Sequence, residues 1–202
     1  MKSATLLAAM AIGGATAAPA LAQEQPPPEA GKTWTADNSG FYLGGGGNLY
    51  FLDRDYAAEG LPLVFEDQPS PGAWMVRLGY AFNQYIAVEV EAGVGAARSE
   101  FTTSVGAADG DIGLDSPLGA HLVLSMPLGG DSYVLGKAGY VSAKVSREYL
   151  GFSPPDLDLQ GASFGAGAGF RSGPWDYRME YSFMSGDSGD GGVLGIFVLH
   201  HF

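Results

Sequence analysis

The sequence has no cysteine, which excludes disulfides, thiolate metal sites and thiol catalysis together. It is also poor in charge. Only 16% of its 202 residues are Asp, Glu, Lys or Arg, and the 10 basic residues are outnumbered by 22 acidic ones. The resulting net charge of −12 excludes the basic face that nucleic-acid phosphates demand. Beyond residue 22 there is no apolar run near the roughly 20 residues of a membrane helix. Histidine is scarce as well, with only His121, His200 and His201. Gly186-Asp187-Ser188-Gly189 spells the surround of a catalytic serine, but that chemistry needs a base histidine and an orienting acid well upstream, and no histidine lies early in the chain. His200-His201 cannot chelate one ion from a strand, because neighbouring side chains point to opposite faces. What the chain has in quantity is glycine, 32 residues, and aromatics, 12%.

The first 22 residues stand apart. Lys2 gives a positive start, an apolar run extends from Ala4 to Ala18, and Ala20-Leu21-Ala22 forms a small-x-small cleavage site. This pattern predicts a secretory signal peptide over 1–22. Residues 23–38 carry Pro26-Pro27-Pro28 and little apolar content, and are expected to form an extended periplasmic segment. Residues 39–202 remain as one domain.

That domain alternates with period 2 almost throughout. In Phe41–Phe51, Phe41, Leu43, Leu49 and Phe51 oppose Tyr42, Asn48 and Tyr50. In Ala73–Phe82, Trp74, Val76, Leu78 and Tyr80 oppose Met75, Arg77 and Gly79. In Tyr85–Ala97, Val88, Val90 and Ala92 oppose Glu89 and Glu91. Further alternating runs lie at Leu118–Met126, Tyr133–Val145, Ala162–Arg171, Trp175–Phe183 and Leu194–Leu199. The four glycines Gly44–Gly47 interrupt nothing. No helical pattern follows to make them an anion cradle, so they are expected mid-strand, with Gly44 and Gly46 on the inner face.

Eight strands of about 9–11 residues suit a tilted bilayer crossing. Short turns are expected at Asn83-Gln84, Pro127–Asp131 and Ser172–Pro174. Long polar connections are expected at Asp53–Gly72, Arg98–Asp115, Lys144–Asp158 and Ser185–Gly191. Short connections at one end and long ones at the other predict an all-β, eight-stranded antiparallel up-and-down transmembrane β-barrel.

The strand charges all fall on one face: Arg77, Glu89, Glu91, Lys137, Arg171, Arg178 and Glu180. The other face carries aromatics at strand ends, as membrane-interface girdles do. The charged face therefore points inward, into a lumen only wide enough for side chains. Buried charges must pair, and the expectation is a network joining Glu89 and Glu91 to Arg77, with Lys137, Arg178 and Glu180 nearby.

Three stretches carry a family resemblance: Gly40-Phe-Tyr-Leu-Gly-Gly-Gly-Gly47, Ile86-Ala-Val-Glu-Val-Glu-Ala-Gly93 and Tyr177-Arg-Met-Glu-Tyr-Ser-Phe183. With the closing strand, they resemble the small eight-stranded outer-membrane barrels of Gram-negative bacteria, the OmpA-like or opacity-type family. The resemblance implies a terminal signal read by the barrel-assembly machinery. Leu194, Ile196, Val198 and Phe202 match it; His200 departs, since an aromatic is usual there.

It also implies a monomer in the Gram-negative outer membrane, in contact with outer-membrane lipid and lipopolysaccharide. The expected role is non-enzymatic: envelope integrity, or surface recognition of a host or matrix ligand through the loops. No catalytic residue, cofactor or metal is expected, although the acidic connections (Asp53, Asp55, Glu59, Glu66, Asp67; Glu100, Asp109, Asp111, Asp115) have the oxygen ligands hard cations prefer. The alternative is a narrow porin-like channel for small solutes. A lipid A-modifying enzyme is a third reading, but Val123 stands where that family's serine would follow His121, and Ser125 lies four residues away.

Overall fold

The computed structural model describes residues 39–52, 70–101, 110–149, 153, 155–186 and 189–202. The expected signal peptide, the proline-rich segment and most of the first long connection lie outside the described residues.

Among the described residues there are nine strands: β1 (Gly40–Leu52), β2 (Gly72–Ala81), β3 (Ile86–Ala97), β4 (Ser99–Phe101), β5 (Gly110–Gly129), β6 (Ser132–Tyr149), β7 (Leu157–Ser172), β8 (Trp175–Gly186) and β9 (Gly189–His201). Each is antiparallel to its neighbours. The β1–β9 and β3–β5 pairings close the sheet on itself, and β4 continues the β3 side against β5. The result is an eight-walled barrel.

The turns at the short end have local causes. Asn83 Oδ1 accepts from the Tyr85 and Ile86 amides at 2.8 and 3.0 Å, an Asx turn that reverses the chain between β2 and β3. Gly130 and Gly173 take φ of +59° and +60°, a left-handed conformation that glycine adopts at no steric cost.

The opposite end departs from the sequence expectation. Three of the four stretches expected to be long connections are partly or mostly strand. β4 and the first residues of β5 fall within 98–115. The end of β6 and the start of β7 fall within 144–158. β8 and β9 stay paired up to Gly186↔Gly189, leaving only residues 187–188 between them. The physical reason is apolar content: Leu52, Ile112, Leu114, Val145, Leu159 and Met184 are buried inside the barrel at this end, and their burial stabilises continued strand pairing.

One irregularity makes this possible. Between Asp115↔Lys144 and Leu118↔Ser142, β5 holds one more residue than β6, and Ser116 sits at φ +48°. This is a β-bulge. Before it, even-numbered residues face inward (Ile112, Leu114); after it, odd-numbered residues do (His121, Val123). A one-residue shift flips every side chain, so the bulge keeps Asp115 outside and Leu114 inside.

The outward face is apolar and aromatic, with Trp74, Val76, Leu78, Val90, Leu122, Leu124, Met179 and Ile196 all exposed. At the short-turn end Phe41, Tyr80 and Phe82 stack edge to face at 4.8 and 5.2 Å. Phe170 stacks on Tyr177 at 5.9 Å. These are girdle residues.

β1 runs unbroken through Gly44–Gly47. Its inner positions are forced to be glycine by proximity. A Cβ on Gly46 would run into the Ile196 carbonyl and the Phe197 ring, and one on Gly44 into the Val198 carbonyl. Gly46→Ala is expected to wedge the β1–β9 seam, with a cost at the upper end of the ~1–3 kcal/mol typical of overpacking. Urea unfolding in detergent measures it.

Candidate functional site

The only dense constellation of chemistry-bearing side chains among the described residues lies inside the barrel. Period-2 geometry sends every second residue of each strand into the lumen, so charges far apart in sequence meet there. Arg77 of β2 is the hub and has no solvent exposure. Its Nη2 and Nε donate to Glu91 Oε2 at 2.7 and 3.2 Å, and its Nη1 donates to Glu180 Oε1 at 2.6 Å. The same Nη1 lies 3.4 Å from Glu89 Oε2. The guanidinium also covers the Phe197 ring at 3.5 Å from its centroid. Lys137 of β6 donates to the other Glu180 oxygen at 2.9 Å.

A second arginine continues the chain toward the short-turn end. Arg178 donates to Glu89 Oε1 at 2.5 Å, and to Asp176 Oδ2 through Nε and Nη2 at 3.0 and 2.9 Å. Tyr42 also donates to Glu89 Oε1, at 2.7 Å. Asp176 has no solvent exposure. It accepts from Tyr133 Oη at 2.5 Å and lies 3.2 Å from His201 Nε2 and 3.6 Å from Arg171 Nε. Glu89, Glu91, Asp176 and Glu180 thus face Arg77, Lys137, Arg171 and Arg178 with signs balanced. Glycine makes the room: a Cβ on Gly79 would enter the Tyr42 ring, and one on Gly169 the Tyr133 ring.

The structure brings Arg77, Glu89, Glu91, Lys137, Arg178 and Glu180 into direct contact. Leu194, Ile196 and Val198 are elsewhere, alternating along the outer face of β9, with Phe202 78% exposed beyond it. His200 packs its ring against Trp175 and Phe202 at 4.8 and 5.0 Å, and so occupies an aromatic position as an aromatic would. His201 turns inward and stacks on Tyr42 at 4.8 Å. His121 faces the lumen, and neither ring nitrogen has a hydrogen-bond partner, so no Ser125–His121 dyad forms. Of the acidic residues weighed for cations, Asp53, Asp55, Glu59, Glu66, Asp67 and Asp109 lie outside the described residues, as do Asp187 and Ser188. Asp111 pairs instead with Arg98.

Sequence reasoning missed Asp176, Arg171, Tyr42, Tyr133, Phe197 and His201 as members of the network. Parity was the available signal: Asp176 shares its face with Arg178 and Glu180, and Tyr42 shares its face with Gly44 and Gly46.

The family described as outer membrane protein beta-barrel domain matches residues 4–202. Among solved structures, Ail of Yersinia pestis is similar at 20% identity and TM-score 0.50, over 81% of this chain and 97% of Ail. Neisserial surface protein A is similar at 15% identity and TM-score 0.57, over 81% and 98%. OprG of Pseudomonas aeruginosa is similar at 15% identity and TM-score 0.53, over 80% and 96%. No curated protein sequence matches the chain significantly.

Proposed function

The chain belongs to the outer membrane protein β-barrel family, and from that premise we propose that it is a non-enzymatic, plugged scaffold whose work is done by the connections at the end opposite the short turns. The observation that carries this reading is the lumen. Charges paired at 2.5–2.9 Å cross it from β2 to β8, an apolar cluster lies toward the loop end, and aromatic rings lie toward the other. Such an interior holds the wall rigid and leaves recognition to the loops.

In this reading residues 1–22 direct export and 23–38 remain periplasmic. The barrel sits as a monomer in outer-membrane lipid and lipopolysaccharide, with its loops at the cell surface. Leu194, Ile196, Val198 and Phe202 form the signal for the barrel-assembly machinery; their alternating outward placement on the last strand leaves them accessible for that.

The ligand is a host or matrix component, and loop charge narrows its chemistry. Ail has been solved in complex with the heparin analogue sucrose octasulfate. Here a polyanion would meet Asp53, Asp55, Glu59, Glu66 and Asp67 with only Arg54 among them. A basic ligand fits instead, bound more weakly as salt rises. The test replaces residues 53–69 by a short Gly-Ser linker and measures binding of refolded protein to immobilised basic and sulfated matrix components. Salt-sensitive binding to the basic ones should disappear while the barrel still folds. Unchanged binding, or preference for the sulfated ones, would overturn the reading.

The narrow-channel alternative makes an opposite prediction. Refolded wild-type protein in a planar bilayer is expected to show no stable stepwise conductance; reproducible open channels would favour the channel.

A further inference from the structure

His121 and Ser163 are two buried inward polar side chains that the charge network does not use. Both are more than nine-tenths buried. Neither ring nitrogen of His121, nor Ser163 Oγ, has a hydrogen-bond partner. Buried polar atoms without partners are costly, and a native structure rarely tolerates two side by side. They are side by side: Gly139 of β6 pairs with His121 on one side and Ser163 on the other, so only a glycine separates them on the inner wall.

A third group faces the same place. Glu91 spends its Oε2 on Arg77. Its Oε1 lies 2.9 Å from where a Gly119 Cβ would stand, and His121 Cε1, the carbon between the two ring nitrogens, is 2.9 Å from that same point. Carboxylate oxygen and ring edge are therefore no more than twice that distance apart across Gly119, yet they do not bond directly. A single water making two hydrogen bonds of about 2.8 Å spans separations up to that limit. The eight charges of the network already balance, and an added ion would be buried without a counter-charge. The occupant is neutral.

We propose that the lumen contains an internal water site inward of Gly119, in which water bridges His121 to Glu91 Oε1 and extends past Gly139 to Ser163. A water molecule donates to the carboxylate, and a neutral imidazole supplies one donor and one acceptor. This gives the site the two to four polar partners that a buried water needs. His121 is thereby a positioning residue of the charge network, acting on Glu91 through water, and the plug is hydrated at this one step between β3 and β7.

The test is a double-mutant cycle. The three atoms nearest a methyl group at residue 119 are side-chain atoms of Glu91 and His121, so Gly119→Ala should displace the bridge and leave the backbone in place. His121→Phe keeps a ring and removes both nitrogens. Each change should lower the folding equilibrium constant in detergent roughly tenfold. The double variant should lose little more than either single, because both remove the same bridge. Additive losses of about a hundredfold, or a His121→Phe barrel as stable as wild type, would overturn the proposal. Should Gly119→Ala not fold, wild-type protein decides: a water–proton cross-relaxation peak at the His121 Hε1 in the micelle-bound barrel is expected, and its absence counts equally against the site.

Discussion

Arg77→Ala should be the most damaging single substitution in this barrel, costing about 3–5 kcal/mol, the range for removing one partner of a buried ion pair. Arg77 touches Glu91 and Glu180 at 2.7 and 2.6 Å and Glu89 at 3.4 Å. All three carboxylates stay buried when it is gone. Lys137 still neutralises Glu180 and Arg178 still neutralises Glu89, but Glu91 keeps no cation. The loss also leaves the Phe197 ring uncovered. Urea unfolding of refolded protein in detergent should register a stability drop of that size. Because the penalty is an uncompensated charge rather than a lost contact, Arg77→Ala combined with Glu91→Gln should recover part of it. A loss under about 1 kcal/mol, the value of an exposed ion pair, would mean that bulk solvent reaches these groups and that the lumen is not a plug.

The barrel was legible in the sequence because the bilayer imposes a regular code. Apolar residues outside and polar ones inside repeat every two positions, and this places Arg77, Glu89, Glu91, Lys137, Arg178 and Glu180 on one face without structural information. Two things escaped. The upper strands at 110–115 and 144–149 read as loop, because Asp111, Asp115, Lys144 and Glu148 look like solvent residues; they are, but on the outer face of strands whose inner face is Ile112, Leu114, Val145 and Arg147. The bulge at Ser116-Pro117 reverses parity there, and a parity change is invisible to a scan that assumes constant phase. The second omission was partner choice. Alternation says which face a residue takes but not which strand faces it across the lumen, so the Tyr42–Glu89 and Tyr133–Asp176 bonds, 47 and 43 residues apart in sequence, required the closed ring.

Asp176→Asn should be nearly as costly, at about 3 kcal/mol, but different in kind. Asp176 meets groups on three other strands besides its own: it accepts from Tyr133 of β6, and it faces Arg171 of β7 and His201 of β9 at 3.6 and 3.2 Å. It ties the short-turn end together where the last strand meets the first, since His201 stacks on Tyr42 of β1. An asparagine keeps the shape and one acceptor oxygen but loses the charge that Arg178 and Arg171 face. Arg178 retains Glu89 at 2.5 Å, so the Arg77 hub should survive. The effect should therefore be local as well as global. Amide exchange should accelerate at residues 42–44 and 199–201, at the seam, while the amides around Arg77 and Glu180 keep their protection relative to the lowered global stability. Tyr133→Phe removes a single neutral donor from the same carboxylate and should cost less, about 1.5–2 kcal/mol. If the two substitutions cost the same, the hydroxyl rather than the charge holds this end of the barrel. If exchange rises uniformly, the short-turn end has no stability of its own and the interior unfolds as one unit.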